Sequence, residues 1–352
     1  CRRDRLPARS PWPRAGRKYD TPFLRAGRCD RPTVGDPGPA GAGRLGFSGG
    51  LCLGTGENHT RGPHRTHWTG VAVSTPPRRI GIVGYGKLGQ HLSRSILLNP
   101  SLNERFQLAF VWNLEIADIG DEVPEELRLE HLDDFARYEP DLVVEVAHPT
   151  ITWNYGTRFL EVADYMAASA TAYAQGDTEA RMRASAAMPN GHGLYIPRGA
   201  LPGLEEILHM AQTGKLGGAT VAMSKHPRSL NYQGELDPPL AETTGVREIY
   251  SGPLRELCAL APNNVNTMAA LAMASELGFD AIDARLVADT TLEHHITEVT
   301  LLGPDTGGPR YSLELRRISP AAVGAVSSTA TLDTFLASTI AARDRGDGVH
   351  FC

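Results

Sequence analysis

Cysteine is scarce, at five in 352 residues, too few and too unpatterned for a disulfide framework or a zinc site. Three of the five (Cys1, Cys29 and Cys52) fall within the first 77 residues. Of the remaining two, Cys258 lies among Leu257, Ala259 and Leu260 and reads as a buried, inert thiol. Such usage suits a reducing compartment, so a cytoplasmic protein is expected. No apolar run is long enough for an ordinary membrane-spanning helix. Positive charge is short beyond residue 77, where 22 basic residues face 35 acidic ones, a net of −13. That part has no basic stripe with interleaved aromatics, which argues against nucleic acid and membrane as partners.

Residues 1–77 lack what a core requires. They hold 13 Gly and 10 Pro, carry a net charge of +8, and keep no apolar period of 2 or 3.6. The chain opens at Cys1 and has no methionine before Met166. The segment reads as a disordered or spurious extension, from a fragment or an over-extended gene model. An Arg-rich arm for an acidic partner is the functional alternative. His59, His64 and His67 lack a Cys or carboxylate to complete a metal set, and no metal is expected. The sequon at Asn58 follows no apolar signal region.

What is present beyond residue 77 starts with an apolar strand, Arg79–Val83, running straight into Gly84-Tyr85-Gly86-Lys87-Leu88-Gly89. The three glycines serve different ends. Gly84 allows the tight turn, Gly86 the close approach of backbone to a pyrophosphate, and Gly89 helix–strand packing. A helix pattern follows through Leu88, Leu92 and Ile96, offering Lys87 and Leu88 at an amino terminus suited to phosphate. A second strand, Leu108–Trp112, ends at Asn113, where an NAD site commonly places an acid for the ribose. Asn113 can bond a ribose hydroxyl without repelling a 2′-phosphate, so NAD and NADP both remain open. A third strand, Asp141–Ala147, leads into His148, and Ala147 falls where such folds contact the cofactor. A fourth, Tyr165–Ala168, ends in Ser169-Ala170-Thr171.

The second half alternates more. Ala219–Lys225, Ala284–Ala288, His294–Leu302 and Tyr311–Ile318 read as strands, the last two joined as a hairpin by a Gly/Pro-rich turn. Val265–Leu277 and Leu332–Ala342 read as helices. We therefore expect an α/β protein: a Rossmann-type doubly wound parallel sheet plus a second α/β domain with an open mixed sheet. The expected units are a dinucleotide-binding domain over 78–195, a substrate and dimerisation domain over 196–325, and a carboxy-terminal helical segment, 326–352, packing back on the first. A bare sheet face predicts a homodimer.

Three segments look chemical: Arg198-Gly199-Ala200, the Asn-dense Asn263-Asn264-Val265-Asn266, and Glu293-His294-His295 entering a strand. Three Asn in four positions exceed what one helix cap needs. From about Arg79 onward, these motifs in this order resemble the L-aspartate dehydrogenase family. The resemblance implies nicotinamide-dependent oxidative deamination of L-aspartate to oxaloacetate and ammonia, or the reverse. It also implies cofactor contacts at Ala200 and Asn266, and a downstream histidine as acid–base. Gapless alignment from Asp289 puts Thr297 in that histidine's column, leaving His295 two residues upstream, about 7 Å away along the same strand face. Either His295 substitutes, or activity is weak or absent and the chain is an NAD(P)-binding sensor or scaffold. A dehydrogenase for another small amino dicarboxylate is a further alternative. Two substrate carboxylates call for cations, and Lys225 and His226 at a strand end are placed for that role, with Arg198 another candidate.

Overall fold

A computed structural model describes residues 76–189 and 191–352. The tail histidines and the sequon lie outside them, as does the proposed extension apart from its last two residues.

Seven strands form one sheet: β1 (Arg78–Val83), β2 (Phe106–Trp112), β3 (Arg128–Leu129), β4 (Leu142–Glu145), β5 (Asp164–Ala167), β6 (Leu194–Ile196) and, from the far end of the chain, β12 (Val349–Phe351). Their order is β12-β6-β5-β4-β1-β2-β3, and every pairing is parallel. The central strands read as unbroken apolar runs because helices cover both faces. Ile80, Ile82, Leu142 and Val144 face one buried cluster with Leu92 and Ile96, while Val83, Phe110 and Val143 face another. The helices are α1 (Lys87–Leu98), the short α2 (Pro100–Asn103), α3 (Pro149–Leu160) and α4 (Thr178–Ala186). The strand order reverses between β1 and β4, which in such sheets opens a crevice at the strands' carboxyl ends.

A second, five-stranded sheet holds β7 (Gly218–Lys225), β8 (Val246–Pro253), β9 (Asp283–Asp289), β10 (His294–Leu302) and β11 (Ser312–Pro320), in the order β11-β10-β7-β9-β8. Only β7 and β9 pair in parallel, so the sheet is mixed. β10 and β11 form the expected hairpin. Helices α5 (Leu204–Gln212), α6 (Leu254–Leu260) and α7 (Asn266–Ser275) share a core cluster with this sheet, and residues 268–275 of α7 are all buried. A helix apolar on every side is a core helix. The last helix, α8 (Thr329–Ala341), places Phe335 in the cluster of Ile80 and Leu92. None of the described helices is long and apolar enough to cross a membrane.

Strand β8 was not legible as a strand: Val246-Arg247-Glu248 carries little apolar alternation, as suits an exposed edge. β3, β6 and β12 span two or three residues each, below the length at which a period can be read.

Candidate functional site

The carboxyl ends of β1, β4, β5 and β6 meet the inner face of β7, β10 and β11 around a cavity of about 410 Å³. The two sides arrive from unrelated stretches of sequence and bring different chemistry.

The Rossmann side supplies backbone. Gly84 has φ +109, and a Cβ there would lie 2.8 Å from the Cβ of Ala147. A Cβ on Gly89 would stand 2.0 Å from the Gly84 carbonyl oxygen, so α1 approaches β1 only because no side chain intervenes. Gly86 differs: a Cβ would meet nothing within 4 Å. Gly86 keeps the backbone open toward the cavity it lines with Lys87 and Leu88. No side chain caps α1, whereas His148 caps α3 and Ser328 caps α8. The first-turn N–H groups of α1 are thus left to an outside acceptor, with the helix's positive end behind them. These features fit a dinucleotide pyrophosphate.

Beneath this rim lies a residue the sequence reading passed over. Glu145, the last residue of β4, is fully buried. Its Oε1 accepts from the Ala147 N–H at 2.7 Å and from the Ser169 hydroxyl at 2.9 Å, and its Oε2 accepts from the Ser169 N–H at 3.0 Å. It ties together the turns after β4 and β5, both of which line the cavity. Burial raises its carboxyl to about 7, against the opposing pull of those hydrogen bonds. The signal was a lone acid closing an apolar strand, Leu142-Val143-Val144-Glu145.

The second sheet supplies side chains. In antiparallel pairing Thr297 sits opposite Met223 on one side and Arg317 on the other, and His295 opposite Ser319. Directly opposed residues share a face. Met223, Lys225, His295, Thr297 and Ser319 all line the cavity. Lys225 is 3% exposed, and its Nζ donates to the carbonyl oxygens of Asn264 at 3.2 Å and Val326 at 3.3 Å. Burial lowers its ammonium to about 8. His295 is also buried, and its Nε2 has no hydrogen-bond partner. Burial first, then the charge of Lys225, pushes this imidazole down to about 4, so it is neutral near pH 7.

The Asn-dense segment divides its labour. Asn264 is structural: its Oδ1 accepts from the Asn231 N–H and its Nδ2 donates to Ser229 O. Asn266 opens α7, and its Oδ1 accepts from the backbone and hydroxyl of Thr171. That leaves its Nδ2 for the cavity it lines beside Gly199 and Ala200. Arg198, Lys87, Lys225 and His295 line the same space, and among the described residues no carboxylate does.

Two residues read as ligand contacts are placed elsewhere. His226 caps the short turn at Pro227 by accepting from the Arg228 N–H, and it does not line the cavity. The proline after it starts a new turn, and the strand's inward alternation stops at Lys225. Asn113 is also outside the cavity: its Oδ1 accepts from the Tyr85 N–H and its Nδ2 donates to Glu115 O. Its amide shapes the loop after β2, which carries Glu115 and Asp118. Ser327, Ser328 and Thr331, none of them among the site residues expected from the sequence, also reach the cavity, from around the start of α8.

Comparison with known proteins agrees with this geometry. Residues 206–338 match the family model "Aspartate dehydrogenase, C-terminal", and residues 84–197 match "Homoserine dehydrogenase, NAD binding domain". The chain is 41% identical over 276 residues to an aspartate dehydrogenase domain-containing protein of Danio rerio, covering 78% of this chain and 98% of that protein. It is 27% identical to an L-aspartate dehydrogenase of Methanosarcina barkeri over 64% of this chain and 83% of the relative. The crystal structure of an aspartate dehydrogenase from Thermotoga maritima superposes with a TM-score of 0.54 at 19% identity, covering 76% of this chain and 97% of the other.

Proposed function

The chain belongs to the aspartate dehydrogenase family, and from that premise we propose that it is an NAD-dependent oxidoreductase deaminating L-aspartate or a closely similar amino dicarboxylate. The observation that carries the substrate class is the cavity's lining, with Lys87, Arg198 and Lys225 and, among the described residues, no carboxylate. Such a lining suits the two carboxylates of an amino dicarboxylate. When bound, the nicotinamide dinucleotide supplies the hydride acceptor. Gly84, Gly86, Lys87, Leu88, Gly89 and Ala147 would hold its pyrophosphate end, and Ala200 with the free amide N–H of Asn266 its nicotinamide end. His295, neutral and with Nε2 unpartnered, offers a hydrogen bond to the substrate.

NAD is favoured over NADP. The Nδ2 of Asn113 stands 3.5 Å from the carboxylate of Asp118, and Arg94 on α1 is already paired with Glu122. A 2′-phosphate there would meet the negative charge of Asp118. The outer face of the second sheet, with the exposed Ile318 near the Glu298–Arg316 ion pair, supports a homodimer. The unpaired Cys258 and Cys352 suit the cytoplasm.

The test uses full-length protein with oxaloacetate, ammonia and NADH or NADPH, following loss of reduced-nicotinamide absorbance. Oxidation that requires both oxaloacetate and ammonia is the expected result. Tight nucleotide binding without turnover would instead favour the sensor or scaffold, a reading motivated by Thr297 in the family's histidine column.

A further inference from the structure

We propose that Lys225 is the group that takes the proton from the substrate's amino nitrogen, with His295 beside it as a neutral hydrogen-bonding partner; this rests on the dehydrogenase reading above.

The valences of one nitrogen set the geometry. A lysine Nζ is tetrahedral, bonded to Cε and with three further positions. In Lys225 two of these point at the carbonyl oxygens of Asn264 and Val326, from segments 62 residues apart in the chain. One position remains for the cavity that Lys225 lines. An ammonium places a proton there and a neutral amine places its lone pair there. The clamp therefore lets this side chain exchange one proton in one direction without changing rotamer, which is the positioning that proton transfer demands.

The surroundings set the exchange near neutrality. Among the described residues no carboxylate lines the cavity to hold the ammonium form. β9 presents Ala288 opposite Lys225, β10 brings His294 and His295, and β11 brings Ser319 opposite His295, with Arg317 two residues earlier. The 263–266 segment and residues 324–328 contribute only neutral side chains. Burial without a counter-ion brings Lys225 to about 8, within reach of physiological pH. His295, held near 4, stores no proton in that range, and a threonine hydroxyl at 297 is no base. Of the two buried titratable side chains lining this cavity among the described residues, Lys225 and His295, only Lys225 titrates close to neutrality; Glu145 lies behind the lining.

The step balances without an oxidant. The lone pair of neutral Lys225 Nζ forms a bond to one proton of the substrate's –NH₃⁺, and the broken N–H pair stays on the substrate nitrogen as its lone pair. Lys225 becomes –NH₃⁺, the substrate becomes –NH₂, and the cavity's net charge is unchanged. The freed lone pair is what a carbon–nitrogen double bond requires when the Cα hydrogen leaves.

The sequence makes this directly measurable, because the chain has only four lysines: Lys18, Lys87, Lys215 and Lys225. In full-length protein with ¹³Cε-labelled lysine, K18R, K87R and K215R each remove one signal, and the signal left by elimination is that of Lys225. The expected midpoint for Lys225 is about 8, against roughly 10.4 for an ordinary lysine. K225R keeps a cation but releases no proton near neutrality, so its kcat is expected to fall at least about 100-fold. Its nucleotide affinity should stay within about threefold, and its pH–rate profile should lose the limb near 8. H295Q should keep that limb.

Lys225 titrating near 10.4, K225R retaining the wild-type profile, or H295Q abolishing the limb overturns the assignment. Should K225R not fold, the wild-type titration decides alone. A wild type that turns over no amino dicarboxylate defeats the dehydrogenase reading and this inference with it. An active wild type whose Lys225 titrates like a surface lysine defeats the inference only.

Discussion

Gly86 and Gly89 stand three residues apart in one turn, and each excludes a side chain for a different reason. A methyl group at Gly86 enters the empty space over α1, whereas one at Gly89 meets the Gly84 carbonyl at 2.0 Å. Gly86→Ala should therefore leave thermal stability nearly unchanged while weakening NADH binding at least tenfold, as a fluorescence titration would show. Gly89→Ala should cost about 1–3 kcal/mol of stability through overpacking, read from a denaturant curve. Equal stability loss in both variants would contradict this division. Glu145 gives a pH test. Its carboxyl is near 4.5 when exposed and about 7 when folded, so the unfolded chain gives up this proton first. The contribution is fully present below about 4.5 and is lost as pH rises through about 7. His295 runs the other way: held near 4 against an ordinary 6.5, it withdraws stability as pH falls below about 6.5. Melting curves of wild type and Glu145→Gln from pH 4.5 to 7 should differ most at the upper end, with the wild-type slope the more negative. Identical slopes would place Glu145 outside the linkage.

At the scale of elements, the parallel sheet was legible because each strand is a short apolar run followed by small residues at its carboxyl end. β1 with its glycine turn, β4 and β5 all follow that pattern. The cavity's other wall was legible only in part. Lys225, His295 and Thr297 are fixed by strand alternation, but their apposition depends on the register of β7 against β10, which no local pattern encodes. Where alternation ends, the reading failed: His226, one residue past β7, turns to cap Pro227. The start of α8 was missed because Ala325-Val326-Ser327-Ser328 has no strand or helix period. Its cap does have a signature, since the Ser328 side chain accepts from the Thr331 N–H at 3.3 Å. Ser328→Ala should cost about 1 kcal/mol and, because Ser328 lines the cavity, also raise the KM for the amino acid. A change in stability without a change in KM would confine Ser328 to capping.

For the whole molecule, the glycine turn after β1 meets a pocket lined by Lys87, Arg198 and Lys225 and, among the described residues, by no carboxylate, with Glu145 tying the turns after β4 and β5. The outer face of the second sheet predicts a dimer, which sedimentation velocity would register as a single species of twice the chain mass. Charge reversal by Glu298→Lys, which leaves Arg316 facing a like charge, should weaken that dimer. The loop after β2 predicts a preference for NADH over NADPH, and Asp118→Arg should narrow it. The claim of amino-acid dehydrogenase chemistry is checked by reduced-nicotinamide consumption by the full-length protein supplied with oxaloacetate and ammonia together and with each alone. Oxidation is expected only when both are present, and faster with NADH than with NADPH. Binding of NADH with no oxidation under any of these conditions would contradict the claim.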